Sequence, residues 1–150
     1  MAKLDDTNKA IIRMLSDGRK PFSAIAEEIG ITENTVRARV NRLTEDGILS
    51  IQGLVDPQHV PDIQVAIMGI KLRTLNLEEK AREFLTLKGV FSVVVVTGRY
   101  DLIVQLVTGP DEDRSLLNFF KNELARIKDI ADVETFVVYQ AHNYHIPYMG

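Results

Sequence analysis

The chain has 150 residues, 45% hydrophobic and 26% charged, with a formal net charge of −3. That suits one compact domain or two small ones, and it excludes a broadly basic surface as the means of holding a polyanion. Cysteine is absent, which removes disulfides and thiolate metal sites and fits a reducing cytoplasm. No stretch reaches the roughly 20 apolar residues of a membrane span, and the acidic start Leu4-Asp5-Asp6 lacks a signal-peptide core.

Leu4, Ile11, Ile12 and Leu15 recur at helical spacing. Asp5 and Asp6 suit the positive N-terminal end of that helix, and Gly18 ends it. A short second helix follows Pro21, with Ile25, Ala26 and Ile29 on one face, and stops at Gly30. Thr32 caps a third helix whose Val36, Val40 and Leu43 form one stripe, closed by Gly47. The β-prone segment 48–55 reads as a small strand or wing. The prolines at 57 and 61 oppose regular structure, so residues 54–62 read as a linker between domains 1–53 and 63–150.

Beyond the linker the period changes. Residues 63–73 read as a strand whose apolar phase shifts at Gly69, which predicts a bulge there. Asn76 and Glu79 resemble a capping box ahead of a helix with Leu77, Ala81, Phe84 and Leu85, stopped by Gly89. Strands 91–97 and 102–108 flank the turn Gly98-Arg99-Tyr100-Asp101. Asp111 is placed to cap a helix with Leu116, Leu117, Phe120, Leu124 and Ile127 inward, and 133–141 is the last strand. The order β-α-β-β-α-β predicts a ferredoxin-like antiparallel sheet with both helices on one face, so the whole chain is α+β. Strands 93–96, 102–107 and 133–139 are apolar on both faces. The helices cover one face, and the other calls for a second copy of the chain.

The third helix carries the clearest chemistry. Residues 1–53 hold eight Lys/Arg against eight Asp/Glu, yet positions 34–44 contain three arginines and no acid. With Val36, Val40 and Leu43 inward, Asn34, Arg37, Ala38 and Asn41 face outward, flanked by Thr35, Arg39 and Arg42. Arg and Asn make bidentate hydrogen bonds to guanine and adenine edges, small Ala38 allows close approach, and flanking Arg and Thr suit phosphates. The seven together are the candidate contacts to double-stranded DNA.

These residues carry a resemblance. Leu4-Asp5-Asp6, Ile11-Ile12, Phe22-Ser23-Ala24-Ile25-Ala26, Gly30-Ile31-Thr32, Thr35-Val36-Arg37-Ala38-Arg39-Val40 and Leu43-Thr44-Glu45-Asp46-Gly47-Ile48-Leu49 resemble the leucine-responsive (feast/famine, asparagine-operon type) transcription regulators. The resemblance continues through Gly98-Arg99-Tyr100-Asp101 and Val133-Glu134-Thr135. It implies a winged or plain helix-turn-helix domain that binds DNA and a second domain that dimerises, with dimers assembling into tetramers or octamers. It also implies an amino-acid effector held between dimers by Gly98, Arg99, Tyr100, Asp101 and Thr135. Two departures stand out: Val60-Pro61 replaces the Leu-Gly common in the family's linker, and Arg99 adds a cation beside the effector hinge. Gly98 and Asp101 equally suit a tight hairpin with no ligand.

Two other readings make different demands. A ligand-sensing or protein-interaction module would need no specific DNA contact. A tetrapyrrole decarboxylase of related fold would place histidines in the second domain's cavity, but here His142 and His145 lie in the tail and His59 in the linker. No catalytic constellation, cofactor loop or three-ligand metal set is visible. The chain is therefore expected to be a non-enzymatic regulator without a metal or resident cofactor, with no membrane partner.

Overall fold

The computed structural model describes residues 4–149. The chain folds as two compact units that divide between Gly53 and Leu54. The first contains α1 (Asp6–Met14), α2 (Phe22–Ile29) and α3 (Glu33–Glu45). Each boundary has a local cause. The Asp5 carboxylate accepts from the Asn8 N–H at 2.8 Å and caps α1. Gly30 adopts φ +77°, a left-handed conformation that costs glycine little and turns the chain out of α2. The Thr32 hydroxyl accepts from the Thr35 N–H at 3.2 Å and opens α3. Ile11, Leu15, Ile25, Ala26, Val36 and Val40 pack into one cluster, with Leu49 closing its rim.

The expected wing is absent from the described residues, since 48–53 form no strand. Its β-prone end, β1 (Leu54–Val55), pairs instead with β6 (Ile146–Pro147). Residues 54–62 are accordingly no free linker. They carry β1 and a turn of tight helix at Pro57–His59, where the Asp56 carboxylate accepts from the Gln58 N–H at 2.9 Å.

The second unit is built on β2 (Gln64–Leu72), β3 (Val90–Val95), β4 (Leu102–Thr108) and β5 (Ile130–Val137), all antiparallel, in the order β3-β4-β2-β5. With α4 (Leu77–Leu85) between β2 and β3, and a second helical stretch between β4 and β5, this is the ferredoxin-like arrangement. Ala66, Met68, Ile70, Leu102, Val104 and Leu106 point to the helical side and pack with Phe84, Phe119 and Leu124.

Several local expectations change. Gly69 is no bulge: β2 and β4 stay in register from Gln64↔Thr108 to Ile70↔Leu102, and the irregularity against β5 falls between Lys71 and Leu72. The apolar phase shifts because β2 is central and covered on both faces, where alternation is not required. Asn76 and Glu79 form no reciprocal capping box; the Asn76 amide donates to the Glu79 carboxylate and accepts nothing from the helix backbone. Leu85 is half exposed. Ser115, not Asp111, caps the last helical stretch, accepting from the Asn118 N–H at 3.1 Å, while Asp111 holds Arg114 at 2.7 Å.

That stretch, 116–126, is itself irregular. An α turn (Leu116–Asn118) leads into a wide π turn (Phe119–Glu123) and a tight turn (Leu124–Arg126). The buried side chains are Phe119, Leu124 and Ile127, spaced by five and then three, which follows the wide and tight turns in succession. A uniform helix period therefore misplaced Leu117, which is exposed.

Candidate nucleic-acid interface and ligand hinge

In the first unit, burial of Val36, Val40 and Leu43 fixes which face α3 turns outward. Asn34, Thr35, Arg37, Ala38, Asn41 and Arg42 are all exposed. The arginines differ in what holds them. Arg42 has no side-chain partner among the described residues. Arg37 lies 2.7 Å from the Glu33 carboxylate and 5.4 Å from the Phe22 ring centroid. An exposed pair of this kind is worth little and exchanges readily.

Arg39 behaves differently. Its Nη1 donates to both Asp5 carboxylate oxygens, at 3.1 and 2.9 Å, and to the Asn8 side-chain oxygen at 3.0 Å. It ties α3 to the capped start of α1, so its guanidinium is engaged within the unit. No local signal reveals this, because the partners lie 34 and 31 residues away. The Thr35 hydroxyl, 2.8 Å from that of Thr32, is also engaged in the cap.

In the second unit the turn 98–101 is tied back onto the sheet. Gly98 sits at φ +122°, where a side chain would be strained. The Tyr100 ring lies over Gly69, and a Cβ there would come within 2.7 Å of it. Arg99 stacks 5.3 Å from the Tyr100 centroid and reaches the Glu134 carboxylate at 3.1 Å. That oxygen, Glu134 Oε2, is shielded from solvent and accepts no hydrogen bond. The pair is therefore held by Coulomb attraction.

Asp101 is the clamp of the turn. Its carboxylate accepts from the Leu72 N–H and from Lys71 Nζ, each at 2.8 Å. The Leu72 amide first, and Lys71 second, hold its carboxyl below the usual carboxylate range. Its backbone adds an N–H donated to the Ile70 carbonyl and a carbonyl accepting from the Val96 N–H, both at 2.9 Å.

Thr135 does not join this group. It pairs with Met68, which faces the helical core, whereas Gly69 and its partner Glu134 face the other way with Tyr100. A one-residue step along a strand reverses the face, so Glu134, not Thr135, lies on the face that carries Tyr100. That outer face is also partly covered from within the chain. The Tyr144 hydroxyl donates to Gln105 at its centre, and burial pushes the Tyr144 phenol's pKa up. Val94 and Phe136 remain about half exposed at its two edges.

A three-helix unit with a cationic outward helix, followed by a ferredoxin-like unit, defines a helix-turn-helix regulator with an attached ferredoxin-like domain. Residues 4–44 match the AsnC-type helix-turn-helix domain and residues 65–147 the Lrp/AsnC ligand binding domain. The chain belongs to the Lrp/AsnC family of DNA-binding transcriptional regulators. An HTH-type transcriptional regulator of Pyrococcus abyssi is 31% identical over 138 residues, covering 91% of this chain and 86% of that one. The regulator Ptr1 of Methanocaldococcus jannaschii is 35% identical over 102 residues, covering 67% and 69%. The crystal structure of PH0061 superposes with a TM-score of 0.79 at 26% identity, covering 97% and 99%. The Neisseria meningitidis regulator NMB0573, solved with L-Met, shares the fold with a TM-score of 0.69 at 19% identity, covering 98% and 97%. No helix among the described residues is long and apolar enough to cross a membrane.

Proposed function

We propose that α3 reads operator DNA in the major groove, with Asn34, Arg37, Ala38 and Asn41 at base edges and Arg42 on phosphate. The observation that carries this reading is the exposed face of α3, held outward by Val36, Val40 and Leu43 and tied at its base by Arg39. The first unit as a whole is electrically balanced, with eight charges of each sign. A single copy therefore gains little non-specific attraction, and binding needs two copies. The exposed Val94 and Phe136 supply apolar surface for a homodimer that builds to tetramers or octamers. Two α3 helices then occupy successive major grooves about 34–36 Å apart. The protein acts in the cytoplasm and catalyses no reaction.

A small-molecule effector, an amino acid first of all, binds at the turn 98–101 between dimers. Arg99 takes its carboxylate, and the unsatisfied Glu134 oxygen accepts from its ammonium group. Asp101 holds the turn and contributes through geometry.

Two measurements test these readings. Affinity for promoter DNA should fall linearly in log–log form with salt, and Arg42→Ala should reduce that slope by about 1 per half-site. Absence of binding at low salt would overturn the DNA reading. A thermal-shift screen of the twenty amino acids should yield at least one that raises the Tm, because a ligand of the folded state alone stabilises it. Arg99→Ala should abolish that shift for at least one amino acid; shifts undiminished for every amino acid would overturn the hinge assignment.

A further inference from the structure

A cavity lies away from the hinge, at the opposite end of β4. It has a volume of about 380 Å³, within the range of small-molecule sites. One wall is the π turn Phe119–Glu123. Such turns are rare and recur at functional sites. Here the turn presents Phe119 to the cavity, and Val107, Tyr148 and Met149 add apolar surface.

Two of the four charged side chains around it are already committed. Arg114 donates through Nε and Nη2 to Asp111, at 3.1 and 2.7 Å. Glu123 accepts from the Lys88 N–H and from Arg126, both at 3.3 Å. Two lining charges have no ion-pair partner among the described residues: the Lys88 ammonium and the Asp113 carboxylate. One free cation and one free anion beside an apolar wall complement a molecule with both charges and an apolar body.

We infer that this cavity binds a zwitterion with a bulky apolar body, an aromatic α-amino acid being its smallest form, at a site separate from the hinge. The ligand's ammonium meets Asp113, its carboxylate meets Lys88, and its apolar part packs on Phe119 and Tyr148. Its occupancy has a direct route to the start of the second unit. Tyr148 and Met149 follow β6 immediately, β6 is paired with β1, and β1 begins at the residue after Gly53. Ordering the tail around a ligand tightens β6 and with it the Leu54–Val55 pairing. This inference does not depend on the hinge reading.

The chain contains no tryptophan, so Tyr148→Trp in the full-length protein gives a single fluorescent reporter at the mouth. L-phenylalanine should produce a saturable change in its emission. L-phenylalaninamide, which lacks the carboxylate, and 3-phenylpropionate, which lacks the ammonium, should each bind about tenfold more weakly, the scale of one charged contact. Asp113→Asn and Lys88→Gln, both at exposed positions, should weaken L-phenylalanine by a similar factor, while Arg99→Ala should leave it unchanged. Hydrogen exchange of the unsubstituted protein should slow at Leu54 and Val55 when L-phenylalanine is added.

The site assignment fails if no probe gives a saturable signal or protection at those amides. Equal affinity of the three probes would also overturn it, since that means unselective filling of an apolar hole. Binding lost in Arg99→Ala but kept in Asp113→Asn and Lys88→Gln would return the ligand to the hinge.

Discussion

The two units hold their functional side chains in opposite ways. In the first, a small cluster of buried residues supports one helix, and its functional groups stand in water on the far side. In the second, the turn 98–101 is folded against the sheet, and nearly every polar group in it is already engaged. A surface displayed on a rigid helix suits a large preformed partner such as a DNA groove. A turn clamped by its own carboxylate suits a small ligand that trades internal contacts for its own. The lesson is energetic: the first unit contributes exposed charge and little desolvation, whereas the second has mostly satisfied its own polar atoms and leaves Glu134 Oε2 unsatisfied.

The strongest way to break this comparison is to remove one core at a time. Phe84 is fully buried in the second unit's core. Phe84→Ala should cost about 3–5 kcal/mol there and leave the first unit's melting transition in place. Calorimetry that shows both transitions falling together would make the chain one cooperative body.

A smaller effect sharpens the description of the hinge. At Gly69 an added methyl meets the Tyr100 ring at 2.7 Å, so Gly69→Ala should cost about 1–3 kcal/mol by overpacking. With Tyr100→Ala in the background the penalty should nearly vanish. Additive losses in that double-mutant cycle would mean that the ring does not rest on Gly69.

Arg39 and Arg42 separate position from contact within α3. Arg39→Ala removes a charge-assisted tie that is about one-third exposed, so it should cost the first unit about 1 kcal/mol after allowance for solvent screening. Arg42→Ala should leave stability unchanged. Equal thermal stability of the two variants would contradict the tie to Asp5.

The smallest effect is the pH dependence of the turn. A carboxyl whose pKa is lowered on folding stabilises above its unfolded value of about 3.9, and this is lost as pH falls through the lower folded value. Asp101, held down by the Leu72 amide and then Lys71, therefore supports the fold at neutral pH and withdraws support in acid. Asp101→Asn should flatten the acid limb of stability against pH.

How much was legible in the sequence follows from the range of each interaction. The caps at Asp5 and Thr32 reach three residues, and the stripe Val36-Val40-Leu43 is periodic, so the first unit's helix starts and the inward face of its third helix were legible. The order of strands and helices in the second unit was legible for the same reason. What escaped depends on distant partners or on a change of helical pitch. Arg39 meets Asp5 across 34 residues, Tyr144 meets Gln105 across 39, and the π turn shifts the inward face from Leu117 to Phe119. The small strand or wing expected over 48–55 and the linker expected over 54–62 share Leu54–Val55, and these residues pair with a strand near the end of the chain.

The most direct test concerns Asn41 on α3. Operator sequences should be selected with the full-length protein, and affinities then measured for every substitution at each half-site position, with the unchanged protein and with Asn41→Ala. A bidentate contact to adenine gives about 1–3 kcal/mol of discrimination, so one position per half-site should lose its preference in the variant while the others keep theirs. An Asn41→Ala protein that retains the full preference at every position would contradict the claim that this face of α3 reads the bases.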